Sequence, residues 1–192
     1  MKLLIAAPIL LLVLGGCTHA KPAQEAPHSE QATEMGEFMA IPLTSVAFEP
    51  SAAIPSRYTC DGEDVSPALH WSGVPATAKS LALVCEDPDA PGKTWVHWVV
   101  YGIPALATDL VEAIPKNDSL ASGGRQGTSD FKHLGYGGPC PPRGKPHRYF
   151  FHIYALDAEL ALDSGATREE LDKAMAGHIV GRGDLMATYQ KQ

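Results

Sequence analysis

Two short segments hold most of the side chains that could do chemistry. Asp87-Pro88-Asp89-Ala90-Pro91 is followed closely by His97-Trp98, and Gly138-Pro139-Cys140-Pro141-Pro142-Arg143-Gly144 leads into His147-Arg148-Tyr149. Each opens with a proline-braced turn, where backbone polar groups can be left unpaired, and runs into a period-two apolar stretch that sets a histidine on a strand. Two such units could face each other across one pocket. Acidic, imidazole and phenol groups converging beside rigid turns make a seat for a small polar ligand, and phosphate is a natural candidate.

The elements that must position these groups are mainly strands. Ser80 to Glu86 alternates Leu81, Leu83 and Cys85 against Ala82 and Val84. Thr94 to Tyr101 puts Trp95, His97 and Val99 on one face and Val96, Trp98 and Val100 on the other. Both faces are apolar, which predicts a central, buried strand. His147 to Leu156 is another long strand, with His147, Tyr149 and Phe151 on one side and Arg148, Phe150, His152 and Tyr154 on the other. Leu43 to Phe48 reads as a first strand and Leu185 to Tyr189 as a closing one. One helix is legible. Thr167-Arg168-Glu169-Glu170 is a capping box, and Leu171, Ala174, Met175 and His178 follow at helical spacing. His178 reads as a packed, hydrogen-bonded residue at the helix end. Because a chain reversal must aim Asp87 inward within four residues, and X-Pro bonds adopt cis cheaply, Ala90-Pro91 is expected to be cis.

Composition bounds the rest. Sixteen prolines and eighteen glycines against one clear helical pattern argue for strands and loops, and a net charge of -7 with no Lys/Arg cluster excludes a nucleic-acid surface. Lys2 precedes an apolar run from Leu3 to Leu14, closed by Leu14-Gly15-Gly16-Cys17. The run is too short to span a bilayer comfortably and reads as a bacterial lipoprotein signal over residues 1–16, with Cys17 lipidated. At about 0.8 kcal/mol per buried CH₂, several acyl chains hold a protein on a membrane. Thr18, rather than aspartate, favours the outer membrane, on its periplasmic face. Residues 17–40, polar and poor in aromatics, read as a flexible tether in which His19 and His28 are solvated. Residues 41–192 form a single domain.

The quoted segments resemble the two signature regions of the phosphatidylethanolamine-binding proteins, which include the Raf kinase inhibitor proteins. The bacterial branch is indicated by Tyr58-Thr59-Cys60-Asp61-Gly62-Glu63-Asp64-Val65-Ser66-Pro67, Tyr136-Gly137-Gly138-Pro139-Cys140-Pro141-Pro142, Tyr154-Ala155-Leu156-Asp157 and Gly177-His178-Ile179. The resemblance runs from about Leu43 to Tyr189. It implies an all-β sandwich with a few peripheral helices, no enzymatic activity, no cofactor and no metal. It also implies that Asp87, His97, His147 and Tyr149 line one anion site, which backbone groups around Gly138 and Pro139 complete, because a glycine-rich turn can aim amides at an anion. The imidazoles and the phenol can satisfy phosphate oxygens without a lysine. Asp87 could orient His97 and favour its protonated form, or share a proton with a phosphate oxygen. For an amine-bearing head group, Asp87 or Asp89 could accept the ammonium. The partner implied is a small phosphate or anionic head group. The alternative is a protein target, a kinase or protease inhibited at the pocket rim.

Plainer structural roles are open to each of these side chains. Asp89 can serve simply as a turn cap, Trp95 and Trp98 as core, and Arg148 as the ion-pair partner of a structural acid. Asp61, Glu63 and Asp64 lack the spacing and terminal glutamate of a calcium loop and read as structural. Cys60 and Cys140 sit in loops while Cys85 alternates with buried residues, which favours a Cys60–Cys140 disulfide over three unpaired thiols in an oxidising compartment. There is no Gly-x-Ser-x-Gly elbow, Walker loop, His-Glu-x-x-His or dinucleotide fingerprint, and Gly123 to Gly127 reads as a mobile loop. A metal hydrolase built on Asp87, His97 and His147, or a Cys140 nucleophile near His147, has residues of the right type but no motif behind it.

Overall fold

The computed structural model describes residues 38–191. Nine strands and one α-helix occur among them: β1 Met39–Ala40, β2 Leu43–Thr44, β3 Leu69–Trp71, β4 Ser80–Asp87, β5 Trp95–Pro104, β6 Asp109–Leu110, β7 Arg125–Gln126, β8 His147–Leu156, α1 Arg168–Met175 and β9 Ile179–Tyr189. One six-stranded sheet has the order β1-β9-β8-β4-β5-β7, and a three-stranded sheet has the order β2-β3-β6. All pairings are antiparallel except β1 with β9. The predicted "few helices" reduce, among the described residues, to α1 and a 3-10 turn at Ser56–Tyr58. Cys17 and the rest of the leader and tether up to residue 37 lie outside the described residues.

β4 sits between β8 and β5, and its residues are buried on both faces because different layers cover them. Leu81, Leu83 and Cys85 share one core with Trp98, Val100, Phe151, Ile153 and Leu185, and with Leu43, Leu69, Trp71 and Leu110 of the small sheet. Ala82 and Val84 enter a second core with Val99, Tyr101, Tyr154 and Leu156, closed by Leu171 and Met175 of α1. That helix starts as predicted. Thr167 accepts from the Glu170 amide at 3.3 Å and its own amide donates to Glu170 Oε2 at 2.8 Å. Burying Leu171 and Met175 contributes roughly 1.5–3 kcal/mol each, so docking, more than the cap, holds it. His178 differs from expectation. It lies beyond the helix, exposed, with Nδ1 2.9 Å from Asp157 Oδ1.

Two boundaries also differ. β9 begins at Ile179, six residues before the predicted Leu185, and takes in Gly181 and Gly183. They are glycine because another strand passes close: a Cβ on Gly183 would fall 1.9 Å from the Ile41 carbonyl oxygen. The same approach brings Met39 and Ala40, assigned from sequence to the tether, into pairing with Gly181 and Arg182. The predicted first strand over Leu43 to Phe48 shortens to Leu43–Thr44.

Candidate functional site

Antiparallel pairing brings the C-terminal end of β4 beside the N-terminal ends of β5 and β8, so three central strands deliver their polar residues to one edge of the sheet. Asp87 closes β4. Its Oδ1 accepts the Asp89 amide at 2.8 Å, and its Oδ2 lies 2.8 Å from His147 Nδ1, with both side chains largely buried. A carboxylate only accepts, so His147 donates from Nδ1. Asp87 therefore orients His147, where the sequence reading offered His97. The Asp87–Asp89 contact also turns the chain. It is a side-chain mimic of a backbone turn, and with it Ala90-Pro91 is trans, against the expected cis bond.

His97 reaches the same edge through a break in the sheet. The β4–β5 register pairs Cys85 with Trp98 but Glu86 with Val96, leaving His97 as the extra residue of a β-bulge. Strict alternation, which put Val96 with Trp98 and Val100, fails here: Val96 and Val99 pack into the second core, Trp98 and Val100 into the first. The buried His97 ring meets Tyr149 edge-on at 5.2 Å and Phe131 at 5.3 Å. Its Nδ1 donates to the Gly137 carbonyl at 2.6 Å, and its own carbonyl accepts the Gly137 amide at 2.9 Å. Burial lowers the His97 pKa, against the opposing pull of the Gly137 carbonyl and Asp87. Held neutral with its proton on Nδ1, His97 offers Nε2 as an acceptor.

Asp87, His97 and His147 line one cavity of about 220 Å³ together with Ala90, Pro91, Trp95, Phe131, Cys140, Pro141 and Pro142. Tyr149 lies fully buried beneath it. Among the described residues its hydroxyl makes no close hydrogen bond but interacts with the Asp87 carboxylate, and burial, then the Asp87 charge, raises its pKa so that it stays a phenol. Gly138 and Pro139 stand behind the wall. The Gly138 amide donates to Asp64 Oδ1 at 2.6 Å, and the Pro139 carbonyl accepts from Cys60 at 3.1 Å. The Gly138 amide, expected from sequence to meet an anion, thus fastens its loop to the Tyr58–Asp64 segment. A disulfide between Cys60 and Cys140, Cα atoms 5.4 Å apart, completes that fastening, and Cys85 is a buried free thiol.

Asp89 and Arg148 pair with each other outside the cavity. Arg148 donates from Nε and Nη2 at 2.9 and 2.7 Å, and its hydrogen bonds hold the Asp89 pKa down at about 2. Asp61 accepts from Tyr189, Asp64 pairs with Lys116 and Glu63 with Arg57. Among the described residues no group of three or more His, Cys, Asp or Glu side chains is placed to hold a metal ion. Phe131 is a lining residue that sequence reasoning passed over, and the half-buried Trp95, read from sequence as core, lines the cavity as well, whereas Trp98 is core. Asp130 accepts from the Val96 amide at 2.9 Å and pairs with Lys93 at 2.6 Å, which brings Phe131 over Trp95. A Cβ on Gly137 would fall 2.4 Å from the Phe131 ring. That glycine was the one local sign of a close neighbour.

The model of the family described as phosphatidylethanolamine-binding protein matches residues 44–190. The chain belongs to that family. A UPF0098 protein of Methanothermobacter thermautotrophicus is 52% identical over 149 residues, spanning 78% of this chain and 98% of its own length. Among solved structures, a phosphatidylethanolamine-binding protein homologue from Chlamydia trachomatis is 41% identical with a TM-score of 0.73, covering 80% of this chain and 99% of that one. E. coli YbcL, described as a member of the mammalian family, is 33% identical with a TM-score of 0.74, covering 79% and 99%. The phosphatidylethanolamine-binding protein fold, mostly strands with one helix, is thereby that of this chain.

Proposed function

We propose that the cavity binds a small ligand bearing a phosphate or similar anionic group, and that the chain is a binding protein and not an enzyme. One observation carries this reading: two imidazoles, one held by Asp87 and the other by the Gly137 carbonyl, meet in one cavity walled by Trp95, Phe131 and prolines. A ligand hydroxyl or a protonated phosphate oxygen can donate to neutral His97, while Asp87 keeps His147 oriented. The apolar walls strengthen each polar contact by excluding water. In this reading the small sheet and the six-stranded sheet are the layers of a sandwich around the shared core.

Calorimetry with inorganic phosphate and phosphoethanolamine tests it. Losing one hydrogen bond to a charged ligand costs about 1.5–3 kcal/mol, so His97→Ala and His147→Ala should each weaken binding at least tenfold. Equal affinities in all three proteins would remove both residues from the site and put a protein target at the pocket rim ahead.

We further propose, from the Leu14-Gly15-Gly16-Cys17 pattern, that the protein belongs to a bacterial envelope, lipid-anchored through Cys17 to the outer membrane. Cys17→Ser should then move it from the membrane fraction to the soluble one. A wild type that takes up no fatty-acid label would overturn the anchor.

A further inference from the structure

We propose that the Cys60–Cys140 bond is a thiol–disulfide exchange site, at which an external dithiol reduces the bond and frees the Cys140–Pro142 wall of the cavity. Both cysteines are exposed, and Cys140 lines the cavity. The Lys191 ammonium lies 3.6 Å from Cys60 Sγ and 3.5 Å from Cys140 Sγ, and is steered there by Asp61 at 3.6 Å. Exchange is faster when the leaving sulfur is the better thiolate, and a cation beside a sulfur makes it one. Because Lys191 touches both sulfurs, either can leave beside the same positive charge.

The step balances with the dithiol as the only reductant. Its thiolate attacks one sulfur, forming a mixed disulfide, and the Cys60–Cys140 bond breaks with its electron pair on the departing sulfur, which is then protonated. The second thiol of the dithiol gives up its proton and displaces the remaining cysteine. The dithiol ends as a disulfide, and Cys60 and Cys140 end as two thiols.

The wall is poised to respond. The Pro139 carbonyl is held by Cys60, and the Gly144 carbonyl by the Gln190 side chain at 2.6 Å. Between them Pro141 and Pro142 have no N–H to donate, so the disulfide is the covalent tie of that stretch to the body. Exchange at the bond stands apart from the proposed ligand, and only a change in ligand affinity on reduction rests on that reading.

The test uses the oxidised full-length protein in dithiothreitol, with thiols trapped by iodoacetamide and counted by mass spectrometry. The bond should open while near-ultraviolet circular dichroism stays native. Removing one ammonium about 3.5 Å from the leaving sulfur should slow the reaction about fivefold in Lys191→Met, from the Coulomb energy of an exposed pair, and Lys191→Arg should keep the wild-type rate. Hydrogen–deuterium exchange, which needs no ligand, should quicken on reduction at the amides of Cys60 and Gly138. A bond that opens only with global unfolding, equal rates in wild type and Lys191→Met, or unchanged amide exchange would each overturn the proposal. If these hold and phosphate affinity is the same in both redox forms, the exchange site stands and its link to the ligand falls.

Discussion

The same two strands build two imidazole–carboxylate clusters on opposite faces of one sheet. On the cavity face, Asp87 of β4 holds His147 of β8. On the other face their near neighbours, Glu86 and His152, form a network in which His152 Nε2 lies 3.3 Å from Glu86 Oε1 and Nδ1 meets Asp184. Arg168 lies 3.8 Å from Glu86 and 3.2 Å from Asp172, and Arg182 pairs with Asp184 at 3.1 Å, so two arginines offset the carboxylates of the network. The cavity face has no lysine or arginine among its lining residues. Among the described residues each face leaves one buried polar atom without a close hydrogen bond, Tyr149 Oη and Arg168 Nη1, and what separates the faces is that only the far one carries arginines beside its carboxylates. Imidazoles that open into a cavity between apolar walls are groups that a ligand can complete, whereas a network neutralised by its own arginines serves the fold.

Cutting each cluster in turn sharpens that contrast. Asp87→Ala strips a buried imidazole and the Asp89 amide of their acceptor. It should lower stability by about 2–3 kcal/mol and phosphate affinity at least tenfold, measured by urea denaturation and calorimetry. His152→Ala should cost about 1–2 kcal/mol with affinity unchanged. An equal loss of affinity in both variants would erase the functional distinction between the faces.

A smaller effect separates the faces by pH. The His97 pKa is lowered, chiefly by burial, below its usual 6.5, so the unfolded chain takes up a proton first. Its contribution is complete above pH 6.5 and is lost as the pH falls through the lowered folded value. The Glu86 pKa is lowered from 4.5, first by its hydrogen bond with His152, and its contribution is complete above 4.5 and lost as the pH falls through the lowered folded value. Acidification should therefore weaken the cavity face before the far face. His97→Gln should flatten the fall in stability just below pH 6.5, and Glu86→Gln should flatten only the fall below 4.5. A wild-type profile unaffected by either substitution would break the assignment.

Much of this was legible in the chain. Alternation in Ser80–Glu86 and His147–Leu156 identified the two strands that carry the site, and Thr167-Arg168-Glu169-Glu170 marked the helix start, because periodicity and capping are written in neighbouring residues. The Cys60–Cys140 pairing followed from which cysteines fell in loops. Phe131 was not legible, since an aromatic in a loop acquires a role only from what the loop packs against. The extent of β9 was hidden because its glycines answer to Ile41, far away in sequence.

Sequence by itself determined which residue types arrive at the sheet edge and on which strands. Only the tertiary structure decided how they combine: Asp87 with His147 instead of His97, Gly138 with Asp64 instead of an open anion seat, and His97 turned toward Tyr149 by a bulge. The reason is physical. The face on which a side chain emerges follows from local alternation, but a bulge exists only relative to the strand it is paired with, and a carboxylate's partner is whichever donor the sheet topology brings within about 3 Å.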